Sequence, residues 1–374
     1  MSYIVPFYKP TFLSNLSEIN RDNFFNSIDS AVENLESRFL ELTNCSQNRC
    51  KHTLAVSNTS SAIHLSMCAI DLKRGDKVIC AVNSYVDIPE AIRHFDSEPI
   101  FTDIEPDTYH MSIDSLREVV AKNRSKKLRA IVVTHFAGLK QDMSEIIEIA
   151  KENNLLIIED FTDRPNVYSS IDVSGDIGVF SLNYKLDNTL KGAILAFKSD
   201  KFYDRASLLR EHGLKSTNSD VSYLYDIEDI GCDYRLDSLN AFLLNGLVDI
   251  RDELIAKKRE VANIYFEELE GVKHIKLPIK SDEHPYSYFV VEVDKNRDAF
   301  ARELKALGIE VGLHYIPLNF TKYYKQKYGL KIFSFPNALT AYQKVMSLPC
   351  NGKMSKKDAL TVSEAVKKVA SKHI

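Results

Sequence analysis

From about residue 53 to residue 197, short β-branched apolar runs alternate with longer amphipathic ones. The runs "KVICAV" (77–82), "PIFTDI" (99–104), "RAIVVTHF" (129–136), "NLLIIED" (154–160), "IGVFSL" (177–182) and "GAILAF" (192–197) read as strands. Their continuous apolar character fits a sheet covered on both faces. Between them, 60–70, 85–95, 112–123 and 142–154 carry helical spacing, the third opening on Ser112, Asp114 and Ser115. The alternation predicts an α/β fold with a mostly parallel sheet.

Outside that region the character changes. The first 50 residues read as mainly helical, with 18–43 a long, charged and amphipathic stretch. Residues 247–271 read as one long helix joining a large domain, 1–245, to a smaller C-terminal α+β domain, 246–374. In the smaller domain, "YSYFVVEV" (286–293) and "EVGLHYIP" (310–317) are expected strands, with helices at 297–307, 338–346 and 355–371. The chain length accommodates two such domains.

Charge and cysteine usage remove several function classes. The net charge is −4 with lysines and acids interspersed, so no bulk attraction to nucleic acid or anionic membrane follows. No apolar run reaches the roughly 20 residues that span a bilayer, and "MSYIVPFYKP" lacks the layout of a signal peptide. The six cysteines are scattered. Cys45 and Cys50 are closest, without a second pair or a nearby histidine to complete a zinc site, and Cys68 and Cys80 read as small core residues. A reducing cytoplasm is the expected location, with no metal. Neither a G-x-x-x-x-G-K-[ST] loop nor a G-x-G-x-x-G turn is present, which argues against nucleotide hydrolysis.

Ligands of parallel sheets bind at the carboxyl ends of the strands. "LAVSNTSSAIHL" runs from a strand into a helix start at Thr59 and Ser60, suited to a phosphate, although an ordinary helix cap is the commoner meaning of such a stretch taken alone. "IIEDFTDRP" ends its strand on Glu159 and Asp160, where a carboxylate could pair with a protonated pyridine nitrogen or simply close the strand. Tyr85 follows another strand and could stack on a flat ring or sit half-buried in the core. "GVFSLNYK" ends on Ser181 and then Lys185, an amine that could form a Schiff base or be a solvated loop charge. His135, in "THFAG", reads as packed rather than reactive. In this order along one α/β domain, phosphate cradle, stacking ring, carboxylate and lysine form the layout of a pyridoxal phosphate site.

The wording also resembles a family, the sugar aminotransferases of the DegT/DnrJ/EryC1/StrS group. The markers run from about residue 50 to the C-terminus: "SNTSSAIHLSMCAI", "GDKVICAVNSYV", "PIFTDIEPDTYHMSIDSL", "AIVVTHFAGLKQDMSEIIEIAKENNLLIIED", "GVFSLNYK", "LREHGL", "GCDYRLDSLNAFLL", "GLHYIPL" and "MSLPC". The resemblance implies a fold-type I transferase with a mixed, mostly parallel seven-stranded sheet between helices. It implies pyridoxal 5'-phosphate as cofactor, L-glutamate as amino donor and a nucleotide-linked keto sugar as acceptor, in surface glycan, lipopolysaccharide or related biosynthesis. It also implies a homodimer with sites at the subunit interface.

By position, the resemblance implies that Thr59 and Ser60 hold the cofactor phosphate, Tyr85 stacks on the ring, Asp160 pairs with the ring nitrogen and Ser181 bonds the phosphate. Lys185 would form the internal aldimine and shuttle the proton. A residue near Asp233 would enter the neighbour's site, and His314 and Tyr315 would approach the sugar. The chain departs from the pattern at four places. Lys185 stands four residues after Ser181 rather than five, leaving Lys191 as a loop charge, and "LKGA" (190–193) replaces a glycine-rich turn. Asp163 stands for a glutamine or histidine beside the cofactor's phenolic oxygen, and Asp233 for a phosphate-binding asparagine that Arg235 could offset. These departures leave two further readings, a dehydratase-like homologue and a non-catalytic member that binds a sugar nucleotide or a partner subunit.

Overall fold

The computed structural model describes residues 3–7, 28–43, 49–163, 172–182, 190–217, 224–282 and 284–372. Seven strands form one sheet: β1 (His52–Val56), β2 (Lys77–Ala81), β3 (Glu98–Thr102), β4 (Leu128–Thr134), β5 (Leu156–Asp160), β6 (Ile177–Ser181) and β7 (Ala193–Phe197). Their order is β1-β7-β6-β5-β4-β2-β3. Only β7 runs against its neighbours, β1 and β6; the other pairings are parallel. The mixed seven-stranded α/β sheet expected from the sequence is the one observed.

Alternate side chains leave opposite faces of a strand, and here both faces are covered. Val78, Cys80, Val132, Ile158 and Val179 pack under α2 (Thr59–Ala69), α3 (Asp87–His94) and α6 (Asp200–Arg210). Their neighbours Ile79, Ile131, Val133 and Ile157 pack under α4 (Ile113–Asn123) and α5 (Ser144–Asn153). Beyond these, Ala55, Phe180, Ile194 and Ala196 meet α1 (Ala31–Thr43) and α7 (Ser238–Asp249). Two-sided burial is why these strands read as unbroken apolar runs.

A hairpin, β8 (Leu214–Ser216) with β9 (Tyr225–Ile227), stands apart from this sheet. A second sheet pairs β10 (Ile275–Lys276), β11 (Phe289–Val293) and β12 (Val345–Leu348), all antiparallel. Its core is shared with α8 (Arg251–Leu269), α9 (Arg297–Ala306) and α12 (Lys356–Ala370), and Val5 joins it from the N-terminal segment. The remaining helices are α10 (Lys322–Tyr328) and α11 (Pro336–Lys344). Asp103 caps α11 from across the chain: its carboxylate accepts from Asn337 N at 3.0 Å and Ala338 N at 2.9 Å.

Three expectations are corrected. The single helix over 247–271 is two, broken at Ile250, whose backbone (φ −98, ψ 5) closes α7 before α8 begins. Residues 310–317 are not a strand. Gly312 alone pairs with Ser347, and the chain then passes through a cis His314–Tyr315 peptide towards the main sheet. The edge strand is instead Val345–Leu348, so the helix expected at 338–346 ends at Lys344. Of residues 18–43, only those from 28 onward are described.

Candidate active site

Strand register assembles the site. Val56 and Ser181 both pair with Ala193, from either side of β7, so the carboxyl ends of β1 and β6 lie level. Beyond β1, Asn58 caps α2, and its Oδ1 accepts from Ser61 N at 2.9 Å. The helix therefore starts at Thr59, as the sequence suggests, with Asn58 as its cap. Thr59 and Ser60 occupy the first turn, where backbone N–H groups lack an intrahelical acceptor. Thr59 Oγ1 donates to Ser181 Oγ at 3.1 Å, which brings two of the sequence-predicted residues together.

Asp160 ends β5 and is 2% exposed. Thr134, its register partner on β4, donates to its Oδ2 at 2.9 Å, and Thr162 N donates to its Oδ1 at 2.9 Å. Burial pushes this carboxyl above its ordinary range, against the bonds from Thr162 and Thr134. The preceding residue points the other way. Glu159 Oε2 meets His135 Nε2 at 2.9 Å, and its Oε1 accepts from Gly175 N at 2.5 Å. Gln141 N donates to His135 Nδ1 at 3.1 Å, so Nε2 carries the ring proton and donates to Glu159. The ring stacks on Phe161 at 4.2 Å. His135 is packed, as the sequence reading expects, and Glu159 is committed to holding it.

A second group closes the site from the residue before β11 and from the 314–315 segment. Tyr315 Oη donates to Asp163 Oδ1 at 2.5 Å, and Tyr288 Oη to the same oxygen at 3.4 Å. His314 stacks on Tyr288 at 3.7 Å and meets Ser347 Oγ through Nδ1 at 2.9 Å. Burial, and then the Asp163 charge, push the Tyr315 phenol well above its ordinary value. Tyr85 is half exposed, with its ring 5.4 Å from that of Tyr315. Tyr288 escapes sequence reading because nothing local in "YSYFVVEV" marks which tyrosine reaches Asp163.

Asp233 sits on a segment that pairs with the end of β1, where Ser57 N donates to Tyr234 O at 2.8 Å. Its carboxylate is exposed and bound at both oxygens by Arg235, Nε and Nη2 each at 2.9 Å. That guanidinium holds the Asp233 carboxyl down at about 2. Lys185 lies outside the described residues; Lys191 is exposed just before β7.

The donor set suits pyridoxal phosphate. A helix start with two hydroxyls beside it accepts an anion, a buried carboxylate accepts a cationic ring N–H, and Tyr85 offers a ring face. Comparison with known proteins agrees. The sequence profile of the DegT/DnrJ/EryC1/StrS aminotransferase family matches residues 8–367. The chain is 30% identical over 343 residues to protein MJ1066 of Methanocaldococcus jannaschii, covering 86% of this chain and 87% of the other. It is 26% identical over 359 residues to the GDP-perosamine synthase of Escherichia coli O157:H7, covering 90% and 94%. The PLP-form structure of Spr1654 from Streptococcus pneumoniae superposes with a TM-score of 0.82 at 20% identity, covering 100% of both chains. With a fold-type I architecture, a strand-end constellation of this kind and a profile match over nearly its whole length, the chain belongs to the DegT/DnrJ/EryC1/StrS aminotransferase family.

Proposed function

We propose that this protein is a pyridoxal phosphate-dependent aminotransferase that moves the amino group of L-glutamate to a nucleotide-linked keto sugar. The observation that carries the reading is the Thr59–Ser181 hydroxyl pair at the carboxyl ends of the strands beside a buried Asp160, whose register partner Val179 lies two residues before Ser181. The product amino sugar would serve surface glycan or lipopolysaccharide synthesis. The enzyme would work in the cytoplasm as a homodimer, with the Asp233 segment near the subunit boundary.

Each residue has a physical task. The first-turn N–H groups of Thr59 and Ser60, with the Thr59 and Ser181 hydroxyls, would hold the phosphate dianion at the positive end of α2. Asp160 gains a cationic N–H partner, which offsets the burial that disfavours its charge. Tyr85 would cover one ring face. Pyridoxal phosphate, when bound, supplies an electron sink that stabilises charge at the carbon losing its proton. Lys185, on its shortened loop, would anchor the cofactor aldehyde and carry that proton. Asp163 holds Tyr315 and Tyr288 in place, so that Tyr315 and His314 present a fixed wall to the sugar.

The test is a pair of half-reactions on the purified holoenzyme. L-glutamate should discharge the visible cofactor band and release one 2-oxoglutarate per site, and a keto-sugar nucleotide should restore the band. Absence of 2-oxoglutarate with a fully loaded enzyme would sink the reading and favour the non-catalytic one.

A further inference from the structure

The net charge of −4 conceals a one-signed segment. Residues 311–357 contain eight lysines, no arginine and no acidic residue. Four of these lysines, Lys322, Lys325, Lys327 and Lys331, fall within ten residues on and just beyond α10, and all are exposed. Some other surface lysines are neutralised: Lys276 reaches Asp107 and Glu292, and Lys367 reaches Glu268. Among the described residues, none of the four has a carboxylate within ion-pair distance.

The same segment exposes aromatic surface. Tyr324 and Tyr328, one helical turn apart, face inward, and Phe101 meets both edge-on. That leaves Tyr323 outward at 56% exposure, while Phe333, in the one-turn helix Ile332–Ser334, is 83% exposed. An aromatic ring left this bare beside unpaired ammonium groups is the pattern of an interfacial anchor: rings at the headgroup boundary, lysines among the phosphates. Glu90 and Glu98 face the patch from α3 and β3 with Arg93, their charges reaching Tyr324 and Tyr328. Two acids against four lysines and Arg93 leave the field positive.

From these observations we infer that residues 321–335 form a docking surface for an anionic phospholipid bilayer, holding the enzyme peripherally at a membrane. The exposed cations of the segment itself are all lysine, with Arg93 the one guanidinium beside them, which favours lipid over nucleic acid, since a planar guanidinium is the usual reader of nucleic-acid phosphates and bases and lysine acts as a diffuse point charge. The surface lies just after the 314–315 segment of the active site, with Leu318 N bonded to Val82 O at 2.8 Å, so a docked enzyme would release product next to the bilayer.

Vesicle flotation of the full chain tests this without any turnover. Mixed phosphatidylcholine/phosphatidylglycerol vesicles should carry the protein and pure phosphatidylcholine vesicles should not, with binding lost as salt rises. Lys325→Glu with Lys331→Glu should weaken partitioning at least about tenfold, and Phe333→Ser should weaken it while leaving the salt dependence. All three residues are exposed, so circular dichroism should be unchanged. Equal flotation of wild type and charge-reversed protein, no flotation with either vesicle, or retention by polyuridylate RNA without vesicle binding would overturn the inference.

Discussion

The Tyr315 hydroxyl donates to Asp163 Oδ1 at 2.5 Å, joining two residues 152 positions apart across the mouth of the site. Because Tyr288 reaches the same oxygen, one buried carboxylate fixes Asp163 after β5, the entry to β11 and the 314–315 segment together. Tyr315→Phe removes a donor to this buried acid and should destabilise the protein by about 1–3 kcal/mol in urea unfolding. Asp163→Asn keeps an acceptor for Tyr315 and should cost less than Tyr315→Phe. The opposite order would mean that the charge on Asp163, rather than the Tyr315 hydrogen bond, holds these segments together.

Asp160 makes a prediction with a definite sign. Its folded carboxyl titrates above the unfolded value of about 3.9, so between those two values the native state binds more protons than the unfolded chain. Stability from this group therefore falls as pH rises through that window. Without cofactor, Asp160→Asn should raise the melting temperature at pH 7, and the gain should disappear towards pH 4. The same variant should bind pyridoxal phosphate poorly. A variant less stable than wild type at pH 7 would show that the bonds from Thr134 and Thr162 outweigh the burial of the charge.

The His135–Glu159 pair is wholly buried. Removing the histidine strands a carboxylate in the core, so His135→Ala should cost on the order of 3–5 kcal/mol. Soluble, folded protein with a nearly unchanged unfolding midpoint would contradict the packing role.

The phosphate cradle can be measured apart from turnover. Thr59→Ala and Ser181→Ala should each weaken pyridoxal phosphate binding by roughly 5–30-fold, from loss of about 1–2 kcal/mol of hydrogen bonding. Equilibrium dialysis reads this directly. A pair of variants that bind as wild type does would move the phosphate elsewhere.

Asp103 offers a structural control remote from the cofactor. Asp103→Ala leaves the Asn337 and Ala338 amides of α11 without their acceptor and should cost about 1–2 kcal/mol without changing cofactor affinity.

How much of this was legible in the sequence depends on the range of the contacts. The strands of the main sheet were readable because Val78 to Val179 and their neighbours are buried on both faces, which leaves a local apolar signature. The order of Thr59, Asp160 and Ser181 at strand ends was readable for the same reason. The break at Ile250 was not, since no proline or glycine marks it and charged residues continue on both sides. "EVGLHYIP" alternates like a strand, yet its backbone is spent on one bridge to Ser347 and on reaching the site. Nor does any local pattern join Asp163 to Tyr288 and Tyr315, because that meeting depends on two sheets coming together.

The proposed chemistry depends on a cofactor held through Lys185 at the carboxyl ends of these strands. The most direct measurement is the visible absorption spectrum of purified protein with pyridoxal phosphate, beside Lys185→Ala and Lys191→Ala. Wild type and Lys191→Ala should show a yellow band that is lost in Lys185→Ala. A band that persists in Lys185→Ala, or no band in wild type at saturating cofactor, would contradict it.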